Sequence, residues 1–438
     1  MMYYARGGSG LELTPDDLKA ALTEALDRLG PRERVLAVPP DITRLPSQAG
    51  PLTRYVHEYY GDRLTGILPA TGTHLPMSEG QIEYMFGNLP RSLFAVHDWR
   101  NDLETLGRIE SDRIRELSEG KLDFDWPAQV NRRIASGEHD LVLSIGQVVP
   151  HEVIGMANYN KNIFVGTGGA EAIAKSHYLG AVYGMERIMG RADSPVRAVL
   201  NEATDRFARN LPIVYILTVV EAVSGGTMPR VVVRGLFVGD DAECYYRAAE
   251  LAREVNVFLL DEPIGKIVAY MDPREYVSTW VGNKAIYRTR MALADAGELV
   301  VIAPGVRQFG ENELFDRLIA RHGYRGSRKT LDAVESDEEL RGALGVAAHL
   351  IHGSSEGRFR IRYAAGALTS EQISSIGFEP YDLSEALARY PADQMRDGWN
   401  KLPDGEQVYY ISNPALGLWA EATRFNQCEG ANAWQTSD

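Results

Sequence analysis

The sequence predicts an α/β protein of two domains, each built on a mostly parallel sheet with flanking helices. Short apolar, β-branched runs alternate with longer helical patterns, as crossover units on parallel sheets do. The chain has 438 residues, whereas one core rarely exceeds roughly 250–300. An acidic stretch with Pro and Gly, Asp261-Glu262-Pro263-Ile264-Gly265, separates two strand-like runs. We place the domain boundary there.

Eight runs have the composition of strands and six have the periodicity of helices. The predicted strands are 34–38, 65–68, 141–145, 213–220, 230–237, 257–260, 267–270 and 299–302, and the predicted helices are 14–29, 171–190, 241–254, 284–296, 311–321 and 384–390. The first helix begins with Thr14 as a cap, followed by a proline at the first position and two acids in the first turn.

The boundary divides the chain into an N-terminal α/β domain over residues 1–262 and a C-terminal α/β domain over residues 266–392. The segment 405–438 contains a strand-like run at 407–411 and then a helical pattern to residue 422. Its place is left open between the second domain and a return onto the N-terminal domain.

Charge and cysteine content exclude several classes of protein. Lys plus Arg number 46 against 60 Asp plus Glu, a net charge of −14, which argues against a nucleic-acid or anionic-membrane surface. Cys244 and Cys428 are too few for a disulfide framework or a thiolate metal cluster and indicate a reducing compartment. A bound metal would need His and carboxylate ligands. Without a secretory signal or an apolar stretch of membrane-spanning length, we expect a cytoplasmic location.

Polar side chains follow two of the predicted strands, where ligands of open parallel sheets bind. Asp41, Thr43 and Arg44 follow the strand 34–38 and offer an acceptor, a hydroxyl and a bidentate donor. Gly72 and His74 follow the strand 65–68, where an imidazole can act as acid or base. From the residues alone, Asp41 could cap a helix instead of binding a ligand, and His74 could be a structural histidine instead of a catalytic one.

A second histidine stands in an equivalent position. His151 follows the strand 141–145 after a proline, so the two histidines are expected to converge at one sheet edge. Lys161 and the glycine-rich turn 166–171 come next, and His177 lies inside the predicted helix that follows. The turn could expose N–H groups to an anion, or it could simply be a helix start that tolerates positive φ. His177 could face a ligand or be a structural histidine.

These segments, in this order, resemble the nickel-dependent lactate racemase family, whose members use a nickel pincer nucleotide derived from nicotinic acid. The family's motifs match Asp41-Ile42-Thr43-Arg44, Gly72-Thr73-His74, Pro150-His151 with Lys161 ten residues later, and His177 sixteen residues beyond that Lys. One such motif would be weak evidence, whereas four in register are specific.

The resemblance implies a role for each of these residues. Lys161 would hold pyridinium-3,5-bisthiocarboxylic acid mononucleotide nickel covalently, and His177 would bind the nickel beside the S, C and S atoms of the cofactor. Asp41 and Thr43 would bind the cofactor, with Arg44 at the cofactor and the substrate. His74 and His151 would be the acid/base pair, because inversion needs proton chemistry on both faces of a flattened intermediate.

The implied activity is that of an isomerase, a racemase or epimerase of a 2-hydroxy acid. Hydride would leave C2 for the cofactor, give a transient 2-keto acid, and return to the opposite face. By the same resemblance, the N-terminal domain binds the cofactor, the C-terminal domain completes the substrate site, and the cofactor cleft lies between them.

The sequence departs from the family pattern in two places. Asn158-Tyr159-Asn160 stands where members have a Ser-Gly-Gly-like stretch before the cofactor lysine. In the second domain, Met291 replaces the lysine that holds the carboxylate of lactate, and Arg288 replaces a glutamine. Arg288 or Arg290 could supply the lost charge. We therefore expect a larger hydroxylated substrate, such as a sugar acid.

Three alternatives remain at this stage: lactate racemisation itself, disfavoured by the missing lysine; a carrier of the nickel cofactor that does no chemistry; and a nicotinamide-dependent oxidoreductase. The two histidines argue against the carrier, because a carrier needs no acid/base pair. The oxidoreductase is disfavoured because the sequence has no Gly-x-Gly-x-x-Gly run directly after a predicted strand. Expected partners are the 2-hydroxy acid and the cofactor maturation proteins, with no nucleic acid and no membrane. The sequence does not indicate an oligomeric state.

Overall fold

The computed structural model describes residues 1–223 and 230–429. The strands are β1 (Met2–Gly7), β2 (Val35–Val38), β3 (Leu64–Ile67), β4 (Leu103–Ile109), β5 (Trp126–Asn131), β6 (Leu141–Gln147), β7 (Pro150–His151), β8 (Gly155–Met156), β9 (Ile213–Val223), β10 (Arg230–Gly239), β11 (Val257–Leu260), β12 (Ile264–Tyr270), β13 (Leu293–Ala303), β14 (Arg360–Ala365), β15 (Glu379–Pro380), β16 (Gly398–Lys401), β17 (Gln407–Ile411) and β18 (Leu418–Glu421).

Helices alternate with these strands along the chain. The α-helices are α1 (Pro15–Leu29), α2 (Ala49–Tyr60), α3 (Glu79–Phe86), α4 (Ser111–Leu117), α5 (Arg132–Ala135), α6 (Asn160–Phe164), α7 (Ala170–Tyr183), α8 (Met185–Ile188), α9 (Pro195–Ala203), α10 (Ala242–Asn256), α11 (Thr279–Gly282), α12 (Lys284–Thr289), α13 (Glu313–His322), α14 (Ser327–Ser336), α15 (Glu338–Arg341), α16 (Leu344–His352), α17 (Ser370–Ser375), α18 (Leu383–Arg389) and α19 (Ala422–Glu429). Among the described helices, none has the length and hydrophobicity of a bilayer span.

The chain forms two compact units. The first takes Met1–Ser176, Gly190–Glu221 and Val231–Asn256, and the second takes His177–Met189 together with the described residues of Ala222–Arg230 and Val257–Asp438. The segment from residue 405, whose place the sequence left open, contributes β17 and β18 to the second unit.

The first unit is built on a six-stranded sheet in the order β1-β10-β9-β6-β2-β3. The pairs β2–β3, β2–β6 and β6–β9 are parallel, whereas β1 pairs antiparallel with β10. All residues of β2 and β6 are buried, as expected for central parallel strands covered on both faces. The predicted mostly parallel α/β architecture is confirmed for this unit.

The second unit has its own six-stranded sheet, in the order β15-β14-β13-β12-β17-β16. Here β14–β15, β13–β14, β12–β13 and β12–β17 are parallel, and only the edge strand β16 pairs antiparallel. Helix α18 covers this sheet through Ala386, which packs with Tyr390 against Val268, Val300 and Ile302. The same architecture class is therefore confirmed here.

Three helix predictions are wrong in part. The helix predicted over 284–296 ends at Thr289, because Leu293 already pairs with Ile264 as the start of β13. The helix predicted over 171–190 is interrupted at Gly184, whose φ is 119°. The helical pattern predicted before residue 422 contains β18, which pairs with β11, and helix α19 begins at Ala422. In each case pairing or backbone geometry outweighs local helix propensity.

The glycine-rich turn at 166–171 has a packing function. Gly166, Gly168 and Gly169 do not adopt the positive φ that the sequence suggested. A Cβ on Gly168 would lie 1.9 Å from the Phe164 carbonyl oxygen, and one on Gly169 would lie 2.3 Å from Gln129 Oε1. These glycines are needed because neighbouring backbone and side chains approach too closely for a side chain.

Gly168→Ala should therefore lower the free energy of unfolding by about 1–3 kcal/mol, as overpacking does. Gly80→Ala is the matched control, since Gly80 lies in α3 and nothing is within 4 Å of its added Cβ. That variant should be neutral or slightly stabilising, because alanine favours helix over glycine. Denaturant unfolding measures both, and equal stabilities would contradict the packing explanation.

Candidate active site

Three neighbouring parallel strands bring the first candidate residues to one sheet edge. The order β6-β2-β3 places the segments after Gln147, Val38 and Ile67 side by side. Pro40 forms a parallel bridge with Ala70, and the Ala70 N–H donates to the Pro39 carbonyl at 2.7 Å. The segments that carry Asp41, His74 and His151 thus follow adjacent strand ends.

Asp41 is a buried carboxylate with donors on both oxygens. Its Oδ1 accepts from the Thr43 N–H at 3.0 Å and from the Thr43 hydroxyl at 2.5 Å. Its Oδ2 lies 2.7 Å from His74 Nδ1. Burial alone would raise the pKa of Asp41, but the His74 and Thr43 interactions outweigh it and hold the pKa below its usual value. Asp41 caps the 3-10 helix Ile42–Ser47 and also binds the imidazole.

The two histidines have opposite tautomers as a result of their neighbours. An ionised Asp41 can only accept, so His74 Nδ1 carries the proton and Nε2 of the neutral ring is an acceptor. The buried His151 accepts the Val153 N–H at Nδ1, 3.2 Å away, which places the proton of its neutral ring on Nε2. In these tautomers His74 offers an unprotonated Nε2, as a base requires, whereas His151 offers an Nε2–H that can donate a hydrogen bond.

Lys161 is the second residue of helix α6 and is partly buried beside several charges. Burial, with the Arg44 and Arg197 guanidinium groups, lowers its pKa to about 8, against the opposing charges of Glu152 and Asp41. About a fifth of the amine is therefore neutral near pH 7.4, far more than for an ordinary lysine, and only the neutral amine is a nucleophile.

Helix α6 is fixed to the strand ends by its own side chains. Asn162 Nδ2 donates to the Val38 carbonyl and to Ser144 Oγ, both at 3.0 Å. Since Val38 ends β2 and Ser144 lies in β6, one amide holds the Lys161 helix against two central strands. The predicted site residues of the first unit are thus mounted on the same three strands.

The backbone before Lys161 is left-handed at two successive residues. Asn158 has φ 64° and Tyr159 has φ 58°. Asparagine accepts this region, but tyrosine rarely does, and the conformation costs roughly 1–2 kcal/mol per residue. Glycine would adopt it freely. The departure from a glycine-containing pattern at 158–160 therefore keeps a backbone that suits glycine.

The second unit holds the remaining predicted residues. His177 lies half-buried on α7. Arg288 is fully buried. Arg290 is also buried and pairs with Glu186 at 2.8 Å, while its Nη1 lies 3.3 and 3.2 Å from the carbonyl oxygens of His352 and Ser354.

Met291 is a core residue of the second unit. Its side chain is completely buried, and its carbonyl accepts from the Glu421 N–H at 3.0 Å. The Arg290 guanidinium is balanced by Glu186, since the Arg290 and Arg358 charges lower the pKa of that carboxylate against the effect of burial. Of the two arginines considered for a substrate carboxylate, Arg290 thus already has a carboxylate partner.

Sequence reasoning missed Arg197 and Glu152. Arg197 lies in helix α9, which begins with a common N-cap and proline, Ser194-Pro195. No sequence motif distinguishes Arg197 from other helical arginines. Glu152 directly follows His151, and its carboxylate lies 3.9 Å from His151 Nδ1. Only the position of Glu152 next to a candidate histidine could have indicated it.

The residues of the first unit fit a covalently held anionic nucleotide. Lys161 offers a partly neutral amine, and Arg44 adds a cation that suits a phosphate. Within residues 1–223 and 230–429, no group of three or more His, Cys, Asp and Glu side chains could hold a metal ion. A nucleotide that brings three of the four metal ligands needs only one from the protein.

Comparisons with known proteins give one match to a domain family and two matches to solved structures. Residues 19–188 match the lactate racemase N-terminal domain. A crystal structure of a protein from Thermotoga maritima superposes with a TM-score of 0.80 at 22% identity, covering 95% of this chain and 100% of the other. The lactate racemase apoprotein from Thermoanaerobacterium thermosaccharolyticum gives a TM-score of 0.67 at 16% identity, covering 95% and 94%. No curated protein matches.

The two structures share the fold of this chain over nearly its whole length. The domain match spans all seven predicted residues from Asp41 to His177. Residues 19–188 are therefore similar to the lactate racemase N-terminal domain, and the chain shares its fold with the lactate racemase apoprotein.

Proposed function

We propose that the protein is an isomerase that inverts C2 of a 2-hydroxy acid larger and more hydroxylated than lactate, such as a sugar acid. The family relationship supports a racemase or epimerase activity in general. The observation that carries the finer proposal is the Asp41–His74 pair beside a lysine of lowered pKa, within the matched domain.

A nickel pincer nucleotide, held by Lys161 and with its nickel bound by His177, would supply a hydride acceptor and donor. The chain's own residues would bind the substrate and move protons. With Nε2 free of a proton, His74 takes the proton of the substrate hydroxyl, and Asp41 stabilises the imidazolium that results. His151 would serve the other face. As an imidazolium it would return a proton to the substrate oxygen. For the opposite enantiomer it would take the hydroxyl proton at Nε2, once its ring proton has moved to Nδ1 and the Val153 contact has been broken.

The substrate proposal depends on the second unit. A lysine at position 291 would have to lie in the core, where Met291 is completely buried. Arg288 is our candidate for the substrate carboxylate, because a guanidinium binds a carboxylate through two hydrogen bonds. Arg290 is less suited, since Glu186 and two carbonyl groups already engage it.

The substrate class can be tested with a panel of single-enantiomer 2-hydroxy acids, from lactate to aldonic acids. Protein co-expressed with the cofactor maturation proteins should invert C2 of sugar acids, as followed by chiral chromatography. Arg288→Gln should raise KM strongly for the preferred acid, and Arg328→Gln, on α14, is the control. Turnover of lactate alone, with sugar acids inert, would contradict the proposal.

The acid/base assignment predicts that His74→Ala lowers turnover by about 10²–10⁴-fold in both directions while nickel stays bound. Asp41→Asn should also lower it, because an amide neither fixes the tautomer nor stabilises an imidazolium. His57→Ala, on α2, should leave the rate unchanged. If His74→Ala inverted both enantiomers at the normal rate, the two-histidine mechanism would be wrong.

A further inference from the structure

We propose that Arg197 is the positioning residue for Lys161, holding the left-handed backbone at Asn158 and Tyr159 that a glycine pair would otherwise provide. This inference rests on the proposed function only in taking Lys161 as the attachment site. The geometry belongs to the protein without its cofactor. It can therefore be tested separately.

The Arg197 guanidinium binds the chain just before Lys161 at three residues. Its Nη2 donates to the Met156 carbonyl at 2.8 Å and lies 3.3 Å from the Asn158 carbonyl oxygen. Its Nη1 lies 3.4 Å from the same Asn158 oxygen and also donates to Asn160 Oδ1. The fork geometry of arginine suits this task, because one planar group fixes several acceptors at once.

The side chain of Asn160 extends the same clamp. Its Nδ2 donates to Asn201 Oδ1 at 2.8 Å and lies 3.2 Å from Thr204 Oγ1. Arg197 and Asn201 both belong to α9, one helical turn apart. The first residue of α6 is thus bound to α9 through both atoms of its amide, and Lys161 is the next residue.

Aromatic packing makes the clamp rigid. Arg197 is completely buried, and its guanidinium lies 4.1 Å from the ring centre of Tyr245. The Tyr159 ring stacks on Tyr245 with 5.3 Å between centres and packs against Tyr215 at 4.3 Å. The side chain that makes positive φ unfavourable at position 159 is therefore held by two rings.

The clamp also affects the charge at Lys161. The four contacts of Arg197 go to uncharged oxygen atoms, so they do not cancel its positive charge. That charge contributes to the lowered pKa of Lys161, after burial and Arg44. Both the position and the protonation of the amine thus depend on one buried guanidinium.

The test is competitive acetylation of the cofactor-free protein with acetic anhydride between pH 6.5 and 11. Peptide mass spectrometry measures the extent of acetylation of Lys161 at each pH, which gives the midpoint of its titration. The exposed Lys401 is the reference lysine. The wild-type midpoint should lie near 8. Arg197→Lys keeps the charge but loses the fork, so Lys161 should become more exposed. Its midpoint should rise by about one pH unit, which lowers the reactive fraction at pH 8 about fivefold.

Two substitutions at Asn158 then separate positioning from a general loss of structure. Asn158→Gly and Asn158→Ala both remove the 2.8 Å bond from the Tyr159 N–H to Asn158 Oδ1. Only glycine adopts φ near 64° without strain. In the Arg197→Lys background, Asn158→Gly should return the Lys161 midpoint close to 8, and Asn158→Ala should not.

Each outcome decides the question. An unchanged midpoint in Arg197→Lys, or equal effects of glycine and alanine at position 158, would overturn the proposal. If Arg197→Lys does not fold, the glycine double variant should fold and the alanine one should not. Absence of a cofactor adduct at Lys161 in loaded protein would refute the proposed function, while leaving the acetylation result intact.

Discussion

The hydrogen bonds of one buried carboxylate determine the geometry of the candidate site. Asp41 follows β2, and His74 follows the neighbouring parallel strand β3, so the bond between them ties two strand ends together. The carboxylate remains ionised despite burial because His74 and Thr43 bind it. Its charge then fixes which nitrogen of His74 is protonated. The ionisation of Asp41 and the tautomer of His74 thus both depend on one contact.

The chain before Lys161 shows how a departure from a motif can preserve its geometry. Asn158 and Tyr159 adopt a backbone that costs energy for any residue except glycine. Buried hydrogen bonds from Arg197 and the packing of the Tyr159 ring against Tyr245 and Tyr215 offset this cost. Strain of this kind persists only where the surroundings fix the backbone, and such places are often functional sites.

Much of the fold could be predicted from the sequence, since β2, β6 and β11 are recognisable as short apolar runs. The motif residues Asp41, His74 and His151 were identified because they follow such strands. The secondary-structure predictions were wrong where pairing with a distant strand decides the structure of a segment. The run after Thr289 looks helical but becomes β13 because β12 and β14 flank it.

The contacts of Arg197 were inaccessible to sequence reasoning for the same reason. Its acceptors lie 37 to 41 residues away in the chain, and helix periodicity says nothing of them. The positive φ of Tyr159 could not be predicted either, because tyrosine rarely adopts this backbone conformation. The glycine-rich turn at 166–171 is visible in the sequence, but the reason for its glycines is close packing against Phe164 and Gln129, which only the structure shows.

The central claim is that Lys161 carries the cofactor and His177 its nickel. The most direct measurement is intact mass and nickel content of protein co-expressed with the maturation proteins, followed by peptide mapping. We expect one adduct per chain, located at Lys161, with one nickel. In His177→Ala the adduct should remain while nickel is lost. An adduct at another residue, or nickel retained without His177, would contradict the account.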